Sequence, residues 1–458
     1  MNSLTIAAVL LSILLKSCLA QSAVNPDLCV WLQPPYRASS PFKLLARNSF
    51  PGSVSYEESI RSYYSLNARL HPTCIVQPLS AQDVSVAVRT LTTSHVGPCF
   101  FAVRSGGHTP TPGAANIEPG VTIDLSLMNH TTYGPSTGTA SIQVGALWGS
   151  VYETLLESNV TVAGGRVGPI GIGGFLTGGG LSLYNGRVGL SCDNVRGFEV
   201  VLASSEIVYA NWHSHPDLFK ALKGGSNDFG IVTTFDMDTL PAEDLWGGAL
   251  VYNISRAPEY IAAATDFTDN IATDPYGAWY GIFNYNATTG RTDIVATLAY
   301  TRPVMRPAIT DTTRISTIVN QNRYTYTSYR VDGQTSTYLN RADVIRQAVE
   351  THSKQIRRAK SRARSKDFGI IFVVQPWVPL FWKDSEARGG NVLGLERFNE
   401  NMLNIVISYA GGTQDPLRGY GPVNVRFMQQ VARKYDPEEV FQRLVPGGFK
   451  LSRTIGLD

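Results

Sequence analysis

The sequence predicts an α+β fold: a glycine-rich ligand-binding half, then an antiparallel sheet with helices on one face. Three observations predict it. A strand, a helix and a second strand follow one another between residues 74 and 103, and the second strand runs into Arg104-Ser105-Gly106-Gly107-His108-Thr109-Pro110. Much of the glycine is concentrated between Gly164 and Gly230. Beyond residue 242, strand-like runs alternate with helical stretches, the pattern of an antiparallel sheet covered by helices.

With 458 residues the chain has room for two or three domains, each with its own core. A composition of 43% hydrophobic and 16% charged residues excludes a disordered chain, and a net charge of +3 argues against a nucleic-acid partner. At the N-terminus, Leu4 to Leu15 is an apolar run too short to span a bilayer. Cys18-Leu19-Ala20 supplies small residues for cleavage, so residues 1–20 read as a signal peptide. An uncleaved anchor is the alternative, and Lys16 disfavours it. The mature chain is expected to be extracellular and not held by a membrane. N-x-S/T sequons at Asn129, Asn159, Asn253 and Asn286 agree with secretion. Cleavage leaves Cys29, Cys74, Cys99 and Cys192, which allow up to two disulfides in three pairings. A bridge from Cys29 to Cys99 or Cys74 is favoured, while Cys192 can equally be a buried free thiol.

Residues 21–69 read as an irregular, aromatic N-terminal segment broken by Pro34-Pro35 and Pro51-Gly52. Cys74 to Pro78 reads as a strand. Ser80 to Asp83 starts a helix in capping-box fashion, with Val84, Val88 and Leu91 on one face. Phe100 to Val103 is the next strand, parallel to the first, and the loop after it lies at a strand's carboxyl end, where α/β sheets bind ligands. Gly106 and Gly107 let that loop turn sharply; its N–H groups can converge on an anion, with Arg104 beside them and His108 close by. A phosphate-bearing cofactor with a reactive atom near His108 accounts for this combination. A tight turn carrying a surface histidine is the competing reading.

Strands follow at Val121–Leu125 and Ala140–Val144, and Gly145 opens a helix. The run from Gly164 to Gly180 is too rich in glycine for an ordinary core and too apolar for a linker (Ile170, Ile172, Phe175, Leu176). It suits backbone packed directly on a flat or charged ligand. Gly171-Ile172-Gly173-Gly174 superficially invites a nicotinamide-binding fingerprint, with Asp193 as its acid, but Gly178-Gly179-Gly180 breaks the helix that fingerprint requires. Phe198 to Ala203 is a strand, and Lys223-Gly224-Gly225 leads through Phe229-Gly230 into another, Ile231 to Phe235.

Together these motifs resemble the FAD-binding domain of the vanillyl-alcohol-oxidase (PCMH) type, in its berberine-bridge-enzyme-like branch. Asp436 to Phe441 resembles that branch's terminal segment, which folds back on the flavin domain. The resemblance implies a two-subdomain FAD-binding domain at 70–241, a substrate domain at 242–404 and a returning segment at 405–458. It implies that His108 is joined covalently to the flavin and that Arg104, Ser105, Gly106, Gly107 and Thr109 cradle the pyrophosphate. Gly145, Gly165, Ile170, Gly173, Gly174, Thr177, Gly178 and Gly179 would lie along the flavin and phosphates. Gly230, Ile231 and Val232 would flank the adenosine end. Many members carry a second link through a cysteine; here Val167 holds that position, so one covalent bond is expected, through His108. Ile170 holds the position that gates oxygen, which sets oxidase against dehydrogenase.

In residues 242–404, strands are expected at Gly248–Ile254, Trp279–Tyr285, Asp293–Tyr300 and Gly369–Val374. Helices are expected near Pro258–Ile271 and Ala342–His352, and a last strand at Asn404–Tyr409. Among 21 tyrosines, Tyr409 and Tyr184 flank the glycine motifs and are the candidate proton acceptors, although core packing accounts for a buried tyrosine as well. No His/Cys/Asp cluster has metal-ligand spacing. The basic run with Arg357, Arg358, Lys360, Arg362 and Arg364 reads as a solvated face. The expectation is a monomeric, secreted FAD-linked oxidoreductase. It would pass a hydride from a small natural product to flavin, and then electrons to O2 or another acceptor. An oligosaccharide oxidase and a non-catalytic secreted flavoprotein are the alternatives.

Overall fold

The computed structural model describes residues 47–92, 99–302, 338–363, 368–403 and 414–454. The expected signal segment at residues 1–20, Cys29, Arg364 and the strand and base expected at Asn404–Tyr409 lie outside them. The fold is α+β.

The N-terminal sheet holds β1 (Asn48–Ser49), β2 (Cys74–Val76), β3 (Phe101–Arg104) and β4 (Val121–Asp124) in the order β1-β2-β4-β3. The expected parallel pair is opened: β4 sits between β2 and β3 and runs parallel to both. Every residue of β4 is buried, as suits a strand covered on both faces. Residues 54–61, expected to be irregular, form α1 (Val54–Arg61). Pro51-Gly52 precede this helix rather than break it. Ser53 caps it, its hydroxyl accepting from the Tyr56 N–H at 3.4 Å, and Tyr56 and Ile60 face inward. The helix α2 (Ala81–Thr92) buries Val84, Val88 and Leu91, and the Ser80 hydroxyl accepts from the Asp83 N–H at 3.2 Å.

A second sheet is antiparallel. It comprises β5 (Thr131–Gly134), β6 (Thr139–Gln143), β7 (Val160–Val162), β8 (Val195–Val201), β9 (Ile207–Ala210) and β10 (Ile231–Pro241), ordered β5-β6-β10-β8-β9 with β7 also on β10. Four helices interrupt this stretch of chain: α3 (Trp148–Leu156), which packs on β5 and β7, α4 (Ile172–Thr177), α5 (Asn185–Val188), and α6 (Pro216–Leu222), which packs on β9. The helix expected from Gly145 begins at Trp148. The glycine field itself forms α4, which stops at Gly178.

The third sheet carries β11 (Trp246–Asn253), β12 (Gly277–Asn286), β13 (Arg291–Tyr300) and β15 (Gly369–Val374), antiparallel in the order β11-β13-β12-β15. Burial alternates strictly along β12, so Trp279 and Phe283 meet Tyr260 of α7 (Ala257–Asn270) edge to face. The helix α8 (Ala342–Arg362) runs ten residues beyond its expected end at His352 and carries Arg357, Arg358, Lys360 and Arg362. A small sheet joins β14 (Tyr338–Leu339), β16 (Pro376–Trp377) and β17 (Met402–Leu403).

The C-terminal helices α9 (Pro422–Tyr435) and α10 (Val440–Arg443) return to the first half. The Phe101 N–H donates to the Leu444 carbonyl at 2.8 Å, and the Phe101 and Phe441 rings meet edge to face at 6.3 Å. Cys192 is a fully buried thiol, which leaves it a small core residue.

Candidate active site

The loops after β3 and before α4 lie backbone against backbone. A Cβ on Gly106 would fall 2.6 Å from the Gly171 Cα, and one on Gly171 would fall 2.4 Å from the Gly106 nitrogen. No residue but glycine fits at either position. The Ser105 hydroxyl ties the pair together, donating to the Val144 carbonyl at 2.6 Å and accepting from the Gly173 N–H at 3.2 Å. These loops floor a cavity of about 310 Å³. Further wall comes from Ser226, Asn227 and Gly230 to Val232, and from Phe441, Val445, Gly448 and Phe449 of the returning chain. The lining is mostly apolar, with Val103, Leu125, Phe175 and Phe235 among its residues. Beside Gly174 nothing lies within 4 Å of where a Cβ would be, so its backbone faces open space. This is a cradle for a flat, largely apolar ligand approached closely by backbone.

His108 lines this cavity. Its ring stacks on Tyr64, centroids 4.2 Å apart and 18° from parallel, and the Tyr64 N–H donates to the Gly107 carbonyl at 3.1 Å. Burial lowers the imidazole's pKa to about 4, because the cation cannot be hydrated there. The neutral ring retains a nitrogen lone pair near neutral pH.

The structure brings Ser105, Gly106, Gly107, His108, Thr109, Ile170, Gly173, Gly174, Thr177, Gly230, Ile231 and Val232 to this one cavity. Other expected residues lie elsewhere. The Arg104 guanidinium turns away from the cavity: Nη1 donates to the Ser59 hydroxyl at 2.7 Å and lies 3.3 Å from the Asp124 carboxylate, and Nη2 donates to the Ser62 hydroxyl at 2.6 Å. Its charge is neutralised inside the protein and does not face a ligand's phosphates. Gly145 packs on the Leu125 carbonyl, 2.0 Å from where its Cβ would be, and Gly165 on the Trp148 ring. Gly178 caps α4, and Gly179 holds a left-handed φ of 102°. These four glycines shape the loops without lining the cavity.

Tyr184 does not line the cavity either. It precedes α5, buried, with the Arg187 guanidinium 5.5 Å from its ring centroid. Burial raises its pKa, the wrong direction for a base, so the structure does not support that assignment.

Sequence reading missed Tyr64, Asn227, Phe449 and above all Arg166, which all stand at or behind the cavity wall. Arg166 Nη2 donates to Gln375 Oε1 at 2.9 Å, and the guanidinium lies 4.2 Å from the Tyr280 ring centroid. A single charge inside a glycine and apolar run was the available signal.

An apolar cradle floored by interlocked glycines and walled by a neutral histidine defines a cofactor-binding enzyme of the flavoprotein type. Residues 72–211 match a family described as an FAD binding domain. The FAD-dependent monooxygenase sdcF of Emericella nidulans is 51% identical over 463 residues, covering 89% of this chain and 96% of that one. In fold, the chain resembles xylooligosaccharide oxidase from Myceliophthora thermophila (TM-score 0.68, 18% identity, 86% of this chain and 95% of that one). It likewise resembles the berberine-bridge-enzyme-like protein 1 of Physcomitrella patens (TM-score 0.65, 16% identity, 90% and 97%). The chain belongs to the FAD-dependent oxidoreductases with a vanillyl-alcohol-oxidase-type FAD-binding domain, and FAD is its cofactor.

Proposed function

We propose that the protein is a secreted oxidoreductase whose FAD is attached covalently through His108 and which oxidises a small natural-product molecule. The observation that carries the attachment is the burial of His108: a stacked imidazole held neutral at the rim of the cavity is a competent nucleophile at ambient pH. Val167 in the same wall offers no thiol, which supports a single link. Ser105 to Thr109, Gly171, Gly173, Gly174, Thr177 and Gly230 to Val232 would hold the cofactor. Bound there, FAD supplies a two-electron acceptor for a hydride. The chain's own work is to exclude water with its apolar walls, to orient the substrate and to keep His108 unprotonated.

The name monooxygenase carried by the Emericella nidulans relative supports dioxygen as the co-substrate. Secretion rests on the apolar N-terminal run and on the four sequon asparagines, all of which are exposed. The deciding experiment is acid precipitation of the purified protein. Yellow colour should stay with the peptide containing His108 and pass to the supernatant in His108→Ala. Flavin released from the unaltered protein would overturn the attachment.

A further inference from the structure

A segment far from His108 in sequence holds its loop from behind. It comprises residues 62–64, immediately after α1. The Ser62 hydroxyl accepts from Arg104 Nη2 at 2.6 Å. The Tyr63 ring lies under the Arg104 guanidinium, 4.1 Å from its centroid, and its hydroxyl donates to the Ala115 carbonyl at 2.8 Å. The Tyr64 N–H donates to the Gly107 carbonyl at 3.1 Å, and its ring carries the His108 imidazole, 4.2 Å between centroids and 18° from parallel. The segment is itself braced, since the Tyr63 carbonyl accepts from Arg69 Nε at 3.3 Å and Nη2 at 3.1 Å. The two tyrosines divide the work. Tyr63 is 1% exposed and packs the fold, whereas Tyr64 is half-buried, so less of the core depends on it.

An imidazole attacks through a nitrogen at its edge, in the plane of the ring, so that plane has to be aimed at the reacting carbon. The outer torsion of a histidine is broad, and nothing in the covalent chain aims it. A ring stacked on one face restricts that torsion and leaves the edge clear of the stack. We infer that Tyr64 is a positioning residue for flavin attachment: its ring aims the His108 imidazole into the cavity, and it acts through His108 rather than on the cofactor. The inference rests on the reading of His108 as the attachment site. Attachment exchanges one imidazole N–H and one C–H of a flavin methyl group for a C–N bond, and the two protons and two electrons released end on dioxygen as hydrogen peroxide. Placement decides the rate of such a step, and a displacement of about 1 Å costs about 100-fold. Plain aromatic packing is the competing account of the stack. It predicts lost stability with no separate effect on attachment.

The test follows attachment in time. Full-length protein made in flavin-starved cells is mixed with saturating FAD in air, and acid-stable flavin on the peptide containing His108 is measured beside total bound flavin. Tyr64→Leu keeps bulk without a ring face. It should bind as much flavin in total but attach it at least about tenfold more slowly, and Tyr64→Ala should do the same. Tyr64→Phe keeps the stacking ring and should attach within about twofold of the unaltered rate. Attachment in Tyr64→Leu as fast as in Tyr64→Phe overturns the inference. Equal slowing of those two variants overturns it as well, because it would place the role on the hydroxyl. So does a parallel fall of total and acid-stable flavin in the leucine and alanine variants, the outcome that packing alone predicts. Unaltered protein that binds flavin but holds none through acid removes the attachment and the inference together, and that result is visible before any variant is compared.

Discussion

The imidazole of His108 lies on the ring of Tyr64, 4.2 Å between centroids and 18° from parallel. The two residues come from different segments, and the Tyr64 N–H to Gly107 carbonyl bond fixes their register. The stack covers one face of an imidazole whose pKa burial lowers to about 4 from an ordinary value near 6.5. Above pH 6.5, folded and unfolded chains both carry it neutral. Between pH 6.5 and about 4 only the unfolded chain takes the proton, so stability falls as the pH falls. The loss at this one residue is about 1–3 kcal/mol, and none is added below pH 4. Thermal unfolding of the flavin-free protein should therefore decline more steeply from pH 6.5 to 4 than in His108→Gln. Parallel curves would show that His108 protonates freely in the fold.

The glycine loops make a second, sharper contrast. Gly171→Ala drives a Cβ to 2.4 Å from the Gly106 nitrogen, where the obstacle is backbone and cannot rotate aside. It should cost about 1–3 kcal/mol, as overpacking does, and lower flavin content in parallel. Gly174→Ala meets nothing within 4 Å and sits inside α4, so unfolding should be unchanged or slightly harder. Its methyl nonetheless enters the cavity, so flavin content should still fall. Full flavin in Gly174→Ala would mean that the cofactor lies away from this loop.

How far the sequence reveals this site depends on how local the chemistry is. Gly106, Gly107 and His108 are legible because a strand, a turn and a reactive side chain are adjacent in the chain. The glycine field is legible because so many glycines need a cause, but which glycine faces a ligand is not. Gly165 answers to Trp148 and Gly145 to Leu125, partners that no spacing rule picks out. Arg104 misleads for the same reason: Ser59 and Asp124 decide where its guanidinium points, and they are 45 and 20 residues away. Tyr64 sits just beyond a helix whose start was obscured by Pro51-Gly52, and the partner of Arg166, Gln375, lies 209 residues on. The sheets were easier, since period-two burial such as that of β12 is written directly in the residues. The insertion of β4 between β2 and β3 is not local and was not legible.

Arg104 and Asp124 give the third prediction. Both side chains are buried, and Ser59 bonds to each. Asp124→Asn keeps the shape but leaves the guanidinium as a buried cation without its counter-charge. Breaking such a pair from one side should cost about 3–5 kcal/mol in urea unfolding. Gly107 packs against the same guanidinium, its Cβ position 3.0 Å from Nε, so the histidine loop should loosen and flavin content should drop. Asp124→Asn with normal stability would show that the serines alone satisfy Arg104.

The returning chain is tied down by a second buried pair. Lys450 Nζ lies 3.4 Å from Asp228 Oδ1, with both side chains fully buried, and it donates to Asn227 Oδ1 at 2.9 Å. Gln442 Nε2 donates to the same carboxylate at 2.9 Å. Burial opposes charge on each partner, lowering the lysine's pKa and raising the aspartate's, and their mutual attraction offsets this. Lys450→Met leaves Asp228 charged or forces it to take a proton, and should cost about 3–5 kcal/mol. Adding Asp228→Asn removes the stranded charge and keeps an acceptor for Gln442, so the double variant should recover most of that loss. Because Asn227 and Phe449 both line the cavity, the single variant should also lose flavin, and the double variant should regain it. A double variant no more stable than the single one would mean that Lys450 acts through Asn227, and that the contact with Asp228 is incidental.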